Sequence, residues 1–426
     1  MTGIMISPIN TGLTAWKDVS PPAGWTWTLP FTIQQRGRRF RPKNFDLRTY
    51  ANISVSKTYY VSTSGNDAND GLSWATALRA PSTAFNKSDV DRVYIEAGYY
   101  FWNQCNVNLN RSMEIIAVGG PVYLTGDIRN QLGAFTRVSN HYEATTPASL
   151  NCVYDRSISD SFGDATRLTK RTSSAEVDAN PGSWYDNGST VYIRLADDRA
   201  PDSNVIYIYG ATTRLARDNK TIYVEGVHFY ASSGFQIGNA TSAGGCKGYF
   251  KDCVFKYAQG VSYNAVNVSG ATEVIFQNCI ASNCGAGADG FNYITYNGVS
   301  PKAIEIDCEA YNCGTTQDHN GSSHHGNTVV RIGGKYHHSY GSAIMDILAA
   351  GRTWCLGVEA YNPGLSNPSS RLLKACFAND SAGNTMWLDT CYAHDEAYDA
   401  LAEGSGTMYY RNLISNGSFY GAPETY

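Results

Sequence analysis

The second half of the chain is built from short units that repeat at a spacing of 24 to 32 residues. Segments such as DCVFKYAQG, NCIASNCGAG and DCEAYNCGTT align at their anchor positions. A period in this range is typical of folds in which successive units stack on one another. The anchor residues, separated by 26, 26, 29, 26, 24 and 32 positions, are Val227, Cys253, Cys279, Cys308, Gly334, Val358 and Thr390.

Each unit consists of two short strands and a turn. Sequences such as TEVIFQNCI and TVVRIGG have the alternating pattern of a β-strand, in which every second side chain points inward and the others point outward. A unit this short cannot bury its own apolar face, so neighbouring units must stack. Helical repeats are excluded because Gly and Asn recur where helix interiors would lie. The sequence therefore predicts an all-β protein with a stacked β-solenoid.

Stacking places equivalent residues of successive units in columns. The eleven cysteines include no CxxC pair, and their spacing lacks zinc-finger character, so we expect buried free thiols that act as small hydrophobic side chains. Asparagine at a turn predicts a ladder of amides that hydrogen bond to the coils above and below. The predicted inward cysteine columns are Cys253, Cys279 and Cys308, and Cys284 and Cys313. The predicted turn ladder is Asn283, Asn312, His338, Asn362 and His394.

Composition restricts the possible partners. Charged residues make up 16% of the chain and the net charge is −4, so no basic surface indicates nucleic-acid binding. The sequence contains no run of about 18 apolar residues, so no transmembrane helix is predicted and we expect no membrane partner. The first residues lack a basic stretch followed by an apolar one, so no secretory signal is expected. The 41 glycines and 30 tyrosines suit short strands joined by turns.

The segment that begins at Tyr59 carries a more specific resemblance. YYVSTSGNDANDGLSWATALRAPSTAF, followed by the strand VYIEAGYY, resembles the entry segment of pectin-lyase-like right-handed parallel β-helix proteins. This family includes polysaccharide lyases, glycoside hydrolases and bacteriophage tailspike depolymerases. The resemblance extends over about residues 57–420 and implies a right-handed parallel β-helix that acts on a polysaccharide. Likeness to the tailspikes implies a homotrimer.

The sequence divides into an N-terminal arm and a long β-helix domain. Residues 1–56 contain clustered Trp and Pro and the basic run QQRGRRFRPK, which either attaches the arm to a larger particle such as a phage tail or is a solvated loop. Residues 57–426 form the predicted catalytic β-helix. Residues 138–208 interrupt the coil pattern, and DNG between WY and TVYIRL predicts a hairpin within a small β insertion.

Histidines concentrate in one part of the repeat. Six of the eight lie between residues 319 and 394, with the highest density in DHNGSSHHG. Loops on a rigid scaffold often carry function, so this segment is a predicted part of the site. Adjacent side chains of an extended chain point in different directions, so His324 and His325 are not expected to bind one metal ion. We expect no metal site and predict that these two histidines share in proton transfer.

Three aspartates form a predicted acidic column. Asp289 follows Asn283 by six residues. Asp318 follows Asn312 by the same number, which predicts that the two aspartates lie about 4.8 Å apart on adjacent coils. Asp346 falls near the same column on the third coil, with a two-residue offset. Glycoside hydrolysis needs two carboxyl groups about 5–9.5 Å apart, which adjacent or alternate coils supply. The alternative for each aspartate is a structural role in a turn.

Asp346 lies within the apolar strand SAIMDILAA, where an unpaired charge is costly. If the residues on either side of it face inward, its carboxylate faces an outer groove. If Ile344 and Leu348 face inward instead, the carboxylate is buried and needs a partner such as Arg331 or Arg352.

Polar and aromatic residues near the acidic column are predicted to hold the sugar. Imidazole and amide groups hydrogen bond to hydroxyl groups, and aromatic rings offer flat apolar surfaces. The predicted substrate-binding residues are His319, Asn320, Tyr296, Arg331, His337, Tyr340 and Trp354. The predicted catalytic residues are Asp289, Asp318, Asp346, His324 and His325.

The sequence leaves three functions open. The first is a tailspike-like depolymerase, in the virion or outside the cell, that hydrolyses a bacterial capsular or exopolysaccharide without a cofactor. The second is a lyase that cleaves a uronic-acid polymer by β-elimination, with Ca²⁺ on the aspartates. The third is a non-catalytic adhesin. The acidic column and the missing secretion signal favour the first. Candidate bases and cations for the second are Lys302, Arg331, Lys335 and His325.

Overall fold

The computed structural model describes most of the chain. The described ranges are 15–105, 109, 111–209, 213–215, 219–230, 235–238, 245–258, 264–285, 289–314, 320–348, 350–365, 372–394, 398–403, 406–421 and 424–426. Side chains are described in all of these except 213–215, 323–325, 372 and 420.

Three parallel sheets run along the molecule and form the three faces of one right-handed parallel β-helix. We name them face A, face B and face C in the order in which each coil passes through them. A strand of one coil pairs in parallel with the equivalent strand of the next, as Thr328–Ile332 does with Arg352–Leu356 on face A. The predicted fold class is therefore confirmed.

The strands of the β-helix group by face, and two long early strands contribute to both face A and face B. Face A contains Thr58–Val61, Arg92–Tyr100, Met113–Thr125, Thr221–Glu225, Cys246–Lys251, Ala271–Gln277, Lys302–Ile306, Thr328–Ile332, Arg352–Leu356, Thr385–Asp389, Thr407–Arg411 and Glu424–Thr425. Face B contains Val227–Tyr230, Val254–Lys256, Ile280–Ser282, Glu309–Tyr311, Lys335–His337, Glu359–Tyr361, Tyr392–His394 and Ile414–Ser415. Face C contains Thr213–Leu215, Phe235–Ile237, Val266–Ser269, Phe291–Ile294, Ser322–His325, Ile344–Ile347, Ala375–Asp380, Tyr398–Glu403 and Ser418–Tyr420.

The predicted turn ladder forms where face B ends. Asn283, Asn312, His338 and Asn362 all adopt left-handed backbone conformations, with φ between 47° and 54°, which asparagine tolerates better than most residues. Nδ2 of Asn312 donates to Oδ1 of Asn283 at 2.6 Å. The assignment of His394 as the fifth member of this ladder is wrong, because His394 pairs with Tyr361 in the neighbouring column.

The interior of the β-helix is lined by the predicted cysteine columns. All eleven cysteines are buried and free, which confirms the expectation of small apolar thiols. The thiol of Cys279 donates to the carbonyl oxygen of Phe250 on another coil at 3.5 Å, and Cys308 repeats this contact with Phe276. The columns therefore satisfy their weak donors through the backbone of adjacent coils.

Residues 15–56 cover the outer side of face A. This segment contains the strands Lys17–Val19, Ile33–Arg36 and Arg39–Pro42, which form one antiparallel sheet. Its Trp27, Ile33 and Phe40 pack with outward residues of face A such as Ile304 and Trp354 in one apolar cluster. The segment thus forms a second core outside the coils.

The segment that interrupts the coils is an antiparallel β insertion with its own core. The predicted hairpin is present, with Trp184 opposite Ile193 across a turn that contains Gly188. The insertion rests against face B, where the rings of Tyr154 and Tyr257 lie 4.1 Å apart between centroids. Its strands are Thr136–Val138, His141–Thr145, Leu150–Ser159, Ala165–Arg167, Thr169–Lys170, Ser183–Asp186, Thr190–Arg194 and Val205–Tyr209.

Helices are few and short. The N-cap Asp46 accepts a hydrogen bond from the backbone N–H of Thr49 at 2.7 Å and so begins the first one. Within the described ranges, no helix combines the length and the apolar character that crossing a membrane requires. The α-helices are Leu47–Ala51, Pro81–Phe85, Trp102–Cys105 and Ser174–Ala179, and the 3₁₀ helices are Trp74–Thr76, Arg129–Gln131 and Leu372–Lys374.

Candidate functional site

The register of face C differs from the one that the acidic column requires. Phe291 pairs with Ser322, and the backbone N–H of Gly290 donates to the carbonyl oxygen of Asn320. The residue opposite Asp289 on the next coil is therefore Asn320. Asp318 and His319 themselves lie outside the described residues.

Asp289 belongs to a buried ladder of polar side chains. Its side chain is 4% exposed, and Oδ1 accepts a hydrogen bond from the backbone N–H of Asn320 at 2.7 Å. Oδ2 accepts a second one from Nδ2 of Asn292 at 2.9 Å. Asn320 repeats the pattern toward the backbone N–H of Ser342 at 3.0 Å. Asp289 and Asn320 thus stabilise turns, and neither faces the solvent where a sugar would bind.

Asp346 is fully buried inside the β-helix, so the outer-groove alternative is wrong. The buried alternative holds for Asp346 and Ile344 but not for Leu348, which is 58% exposed. Ile344 of the same strand lies in the main apolar core, and Arg331 is the charged neighbour that the sequence suggested. Arg331 and Glu305 are both fully buried, with Nε and Oε1 3.3 Å apart. Burial lowers the pKa of Arg331, but the charges of Glu305 and Asp346 outweigh it and raise the pKa overall. The predicted contact between Arg331 and substrate is therefore wrong.

Three aromatic residues that were predicted to bind substrate lie in different parts of the molecule. Trp354 is fully buried under the N-terminal segment, with its ring centroid 5.7 Å from that of Trp25, so this prediction is wrong. Tyr296 is 36% exposed on the loop that follows a face C strand. Tyr340 lines a small cavity of about 280 Å³ between face B and the insertion, together with Asn283 and Asn312.

The predicted catalytic histidines, His324 and His325, lie in the face C strand Ser322–His325. The backbone of His324 pairs with Tyr293 on one side and Asp346 on the other. The side chains of His324 and His325 lie outside the described residues. Across the part of the chain that is described, no three His, Cys, Asp or Glu side chains gather as a set of metal ligands.

Face B carries a row of stacked rings on its outer side. The face B strands from Glu309 to His394 are three residues long, so their first and third side chains point outward. Tyr311 and His337 are stacked at 7° with their centroids 5.4 Å apart, and His337 and Tyr361 at 5° and 4.6 Å. His394 continues the row 4.7 Å beyond Tyr361. The ring faces therefore cover one another along the row, and Tyr311 and His337 are buried.

A second outward row, of charged residues, runs beside the rings. Glu309, Lys335 and Glu359 are neighbours on three successive coils. Oε1 of Glu309 lies 3.0 Å from Nε2 of His337, and Oε1 of Glu359 lies 3.2 Å from Nε2 of His394. The same carboxylate–imidazole pair therefore occurs twice, two coils apart. The face B strip, as we name it, comprises Glu309, Tyr311, Lys335, His337, Glu359, Tyr361, Tyr392 and His394.

The charged row is the open part of the strip. The side chains of Glu309 and Glu359 are 37% and 31% exposed, whereas His337 is 8% exposed. A hydrogen bond from His337 lowers the pKa of Glu309, since it favours the ionised carboxylate. Lys335 adds a positive charge, with Nζ 3.7 Å from Oε2 of Glu359.

The insertion forms one wall of the strip. Phe162 lies over the rings of Tyr311 and His338, with centroid distances of 5.2 and 5.1 Å. Oδ2 of Asp164 accepts hydrogen bonds from Tyr311 and from Asn283, both at 2.7 Å. These contacts fix the wall against the ring row and leave the charged row uncovered.

The N-terminal segment forms the opposite wall. The hairpin between Ile33–Arg36 and Arg39–Pro42 reaches the turn between face A and face B. A cavity of about 610 Å³ lies between this hairpin and the charged row. Its polar lining consists of Arg38, Arg39, Asp307, Glu309, Lys335 and Glu359.

Sequence reasoning predicted His337 in this strip but missed the two glutamates. A signal was available, because the motif EAYN occurs twice, at Glu309 and again at Glu359, in the same position of two units. A glutamate that repeats at one outward position of a solenoid marks a surface column, not a core position. The predicted acidic column contained aspartates alone.

No protein-family model matches the sequence, and no curated protein matches it. Pectate lyase Pel9A is 13% identical with a TM-score of 0.45, over 88% of this chain and 80% of its own. A glycoside hydrolase is 11% identical with a TM-score of 0.46, over 87% and 95%. The A-module of mannuronan C-5 epimerase AlgE4 from Azotobacter vinelandii is 9% identical with a TM-score of 0.34, over 81% and 89%. Likeness at this level carries no argument about activity, so function is inferred from this chain's own residues.

Proposed function

We propose that this protein binds a polysaccharide along the face B strip and cleaves it by hydrolysis, with Glu309 and Glu359 as the pair of catalytic carboxyl groups. The observation that carries the proposal is the repeated carboxylate–imidazole pair, Glu309 with His337 and Glu359 with His394. It lies on the open row between two walls. A long polymer can follow such a row from coil to coil.

The spacing of the two glutamates suits hydrolysis with inversion. They occupy the same position on alternate coils, which separates their backbones by roughly 10 Å. Carboxyl groups about 6.5–9.5 Å apart leave room for a sugar and an attacking water, a distance that the two flexible side chains can reach. Both groups then flank a bond in a chain that runs along the strip.

The hydrogen bond from His337 supports Glu309 as the general base. It lowers the pKa of Glu309 and so favours the carboxylate, which accepts a proton from the attacking water. The water oxygen bonds to the anomeric carbon as the glycosidic bond breaks. Glu359, in its protonated form, donates a proton to the leaving oxygen. Glu309 then releases the proton of the attacking water to solvent, and Glu359 regains one from solvent by way of His394, 3.2 Å away. One water is added for each bond cleaved.

A lyase is the second candidate, and one observation favours it. Arg38, Arg39 and Lys335 line the same cavity, and β-elimination needs cations that neutralise the carboxylate of a uronic acid. In this mechanism His337 removes the proton. A Ca²⁺ ion would have to bind in the strip, because Asp289 and Asp346 are buried.

The test is digestion of a panel of bacterial capsular and exopolysaccharides, followed by mass spectrometry of the products. Hydrolysis adds one water for each bond cleaved, whereas elimination adds none and leaves a double bond that absorbs ultraviolet light. Glu309→Gln and Glu359→Gln should each lower the rate by about 10²–10⁴-fold, which is the usual effect of losing a general acid or base. Glu143→Gln is the control, because Glu143 also pairs with a histidine at 3.0 Å but lies in the insertion.

The outcomes separate the three functions. Near-normal cleavage by both strip variants removes the glutamates from the mechanism. An unsaturated product would mean that the protein is a lyase and not a hydrolase. Binding to the strip without release of any oligosaccharide from the whole panel leaves the adhesin.

A narrower proposal concerns the biological setting. The resemblance of the segment from Tyr59 supports a tailspike-like role, in which the substrate is a bacterial surface polysaccharide and residues 1–56 attach a homotrimer to a phage tail. Light scattering of the purified chain should then give three chain masses. A monomer at micromolar concentration would remove the trimer from the proposal and leave the site unchanged.

A further inference from the structure

We propose that the cavity between the N-terminal hairpin and the charged row binds an anionic group of the glycan, a carboxylate or a sulfate ester, through Arg38 and Arg39. The inference rests on the proposed function only for the glycan as the carrier of that group. It makes the hairpin part of the binding site, whereas the sequence suggested only an attachment arm or a solvated loop.

The cavity is large enough for a substituted sugar. Its volume of about 610 Å³ lies within the range of about 300–1,000 Å³ that ligand sites usually have. The charged row of face B forms one side, and the tip of the hairpin forms the other. The floor is formed by the turn residues Gly333, Gly334 and Gly357. Gly333 and Gly357 occupy the position that Asp307 holds on the preceding coil, so these two coils carry no side chain there.

Two of the three carboxylates of the cavity already have charged or hydrogen-bonding partners. Glu309 is paired with His337, and Glu359 with Lys335 and His394. Asp307 lies against Gly333, where its Oδ1 occupies the space that a Cβ would take. None of the three is an ion-pair partner of either arginine.

The two arginines, in contrast, carry charge that the described part of the chain does not neutralise. Neither Arg38 nor Arg39 forms an ion pair or side-chain hydrogen bond with any described residue. The guanidinium of Arg38 lies 5.0 Å from the ring centroid of Tyr392, which holds it on the wall of the cavity. A planar guanidinium presents paired N–H donors that match a carboxylate or a sulfate.

The hairpin that carries these arginines is held in place by close packing. Arg36 pairs with Arg39 across a tight turn at Gly37 and Arg38. Phe40 is buried in the apolar cluster on face A. Gly357 approaches so closely that a Cβ there would lie 2.8 Å from both the carbonyl oxygen of Arg38 and the Phe40 ring. The arginines therefore project from a fixed support, which reduces the entropy lost on binding.

The experiment compares three polymers of known charge: oligogalacturonate, which carries carboxylates, dextran sulfate, which carries sulfate esters, and neutral dextran. Affinity for each is measured by isothermal titration calorimetry on the full chain and on Arg38→Gln, Arg39→Gln and the double variant. We expect one anionic polymer to bind and the double variant to lose on the order of 10- to 100-fold in affinity, as for hydrogen bonds to charged groups. Which polymer binds identifies the group.

Arg36→Gln is the matched control. Arg36 lies on the same hairpin but does not line the cavity, and it stacks on Trp16 with 4.7 Å between guanidinium and ring centroid. An equal loss of affinity in this control means that the hairpin attracts polyanions through charge alone and overturns the proposal. It is also overturned if neither anionic polymer binds, or if the double variant binds as the wild type does. Circular dichroism confirms that each variant is folded.

Failure of this inference is distinguishable from failure of the proposed function. Cleavage that depends on Glu309 but not on Arg38 and Arg39 leaves the hydrolase and removes the anion site. Arginine-dependent binding without any cleavage leaves the anion site and removes the hydrolase.

Discussion

Face A and face B are built from the same coils, yet the outer side of face A is covered by protein whereas part of the outer side of face B is open. The outward column of face A is apolar and lies under residues 15–56. The outward column of face B is polar and lies between two walls that leave its charged row open. The face A column is Tyr223, Tyr249, Ile275, Ile304, Val330, Trp354 and Trp387. The face B column is Ser282, Tyr311, His337, Tyr361 and His394.

The difference shows what the outward residues of a solenoid decide. Burying apolar surface is favourable by roughly 25 cal/mol per Å², so a face of Ile, Val and Trp attracts a covering segment of the same chain. Polar atoms lose their hydrogen bonds to water when they are covered, so a row of Glu and Lys stays open unless a ligand supplies partners. One backbone architecture thus provides both a second core and a binding surface.

Weakening the packing between face A and its cover should have the largest effect on stability. Trp354→Ala should lower the free energy of unfolding by about 3–5 kcal/mol, because a fully buried indole is lost and a cavity remains. Denaturant unfolding measures the change, and faster proteolysis within residues 15–56 should accompany it. Trp74→Ala is the control, because Trp74 is 43% exposed and should cost far less. Equal losses in the two variants would mean that face A and its cover do not form a core.

Disturbing the junction between the cover and the strip should have an intermediate effect. Gly357→Ala places a Cβ 2.8 Å from the carbonyl oxygen of Arg38 at a backbone φ of +64°, and should cost about 1–3 kcal/mol. Gly298→Ala is the matched control, since Gly298 has φ +76° with no atom within 4 Å of the added Cβ. The difference between the two unfolding free energies isolates the clash from the strain. No difference would contradict the close approach of the hairpin.

Changing the strip itself should affect stability least. His337 lowers the pKa of Glu309, so the pair stabilises the folded state above the ordinary glutamate pKa of about 4.3 and loses this contribution as the pH falls through the lowered pKa. Because Glu309 is 37% exposed, the contribution should be below about 1 kcal/mol.

His337→Gln should therefore flatten the decline of stability in acid and raise the pKa of Glu309. The pKa is measured by NMR titration of the side-chain carboxyl, and the stability by denaturant unfolding at a series of acidic pH values. An unchanged pKa of Glu309 in this variant would show that His337 does not hold the carboxylate.

Several features could be predicted from the sequence because they are local. Alternation of residue types placed Cys253, Cys279 and Cys308 inside, and the αL preference of asparagine placed Asn283 and Asn312 at one turn. Each follows from a few neighbouring residues and the need of the units to stack.

Register could not be predicted across loops of unequal length. From Asn283 to Phe291 the count is eight residues, whereas from Asn312 to Ser322 it is ten, although Phe291 and Ser322 are paired. Counting a constant six residues from each asparagine therefore does not lead to the residue opposite Asp289, which is Asn320. Asp346 was ambiguous for another reason, since alternation fits either face of its strand, and only its neighbourhood with Arg331 places it inside.

The sequence by itself determined the period, the parallel stacking and the inward columns, because each depends on residues close together in the chain. The tertiary structure decided which outer face is buried and which is open. Residues 15–56 and the insertion contact coils that are far away in the sequence. The contact of Trp25 with Trp354 and the hydrogen bond from Tyr311 to Asp164 are therefore not visible in the repeat pattern. The candidate site is what those two contacts leave uncovered.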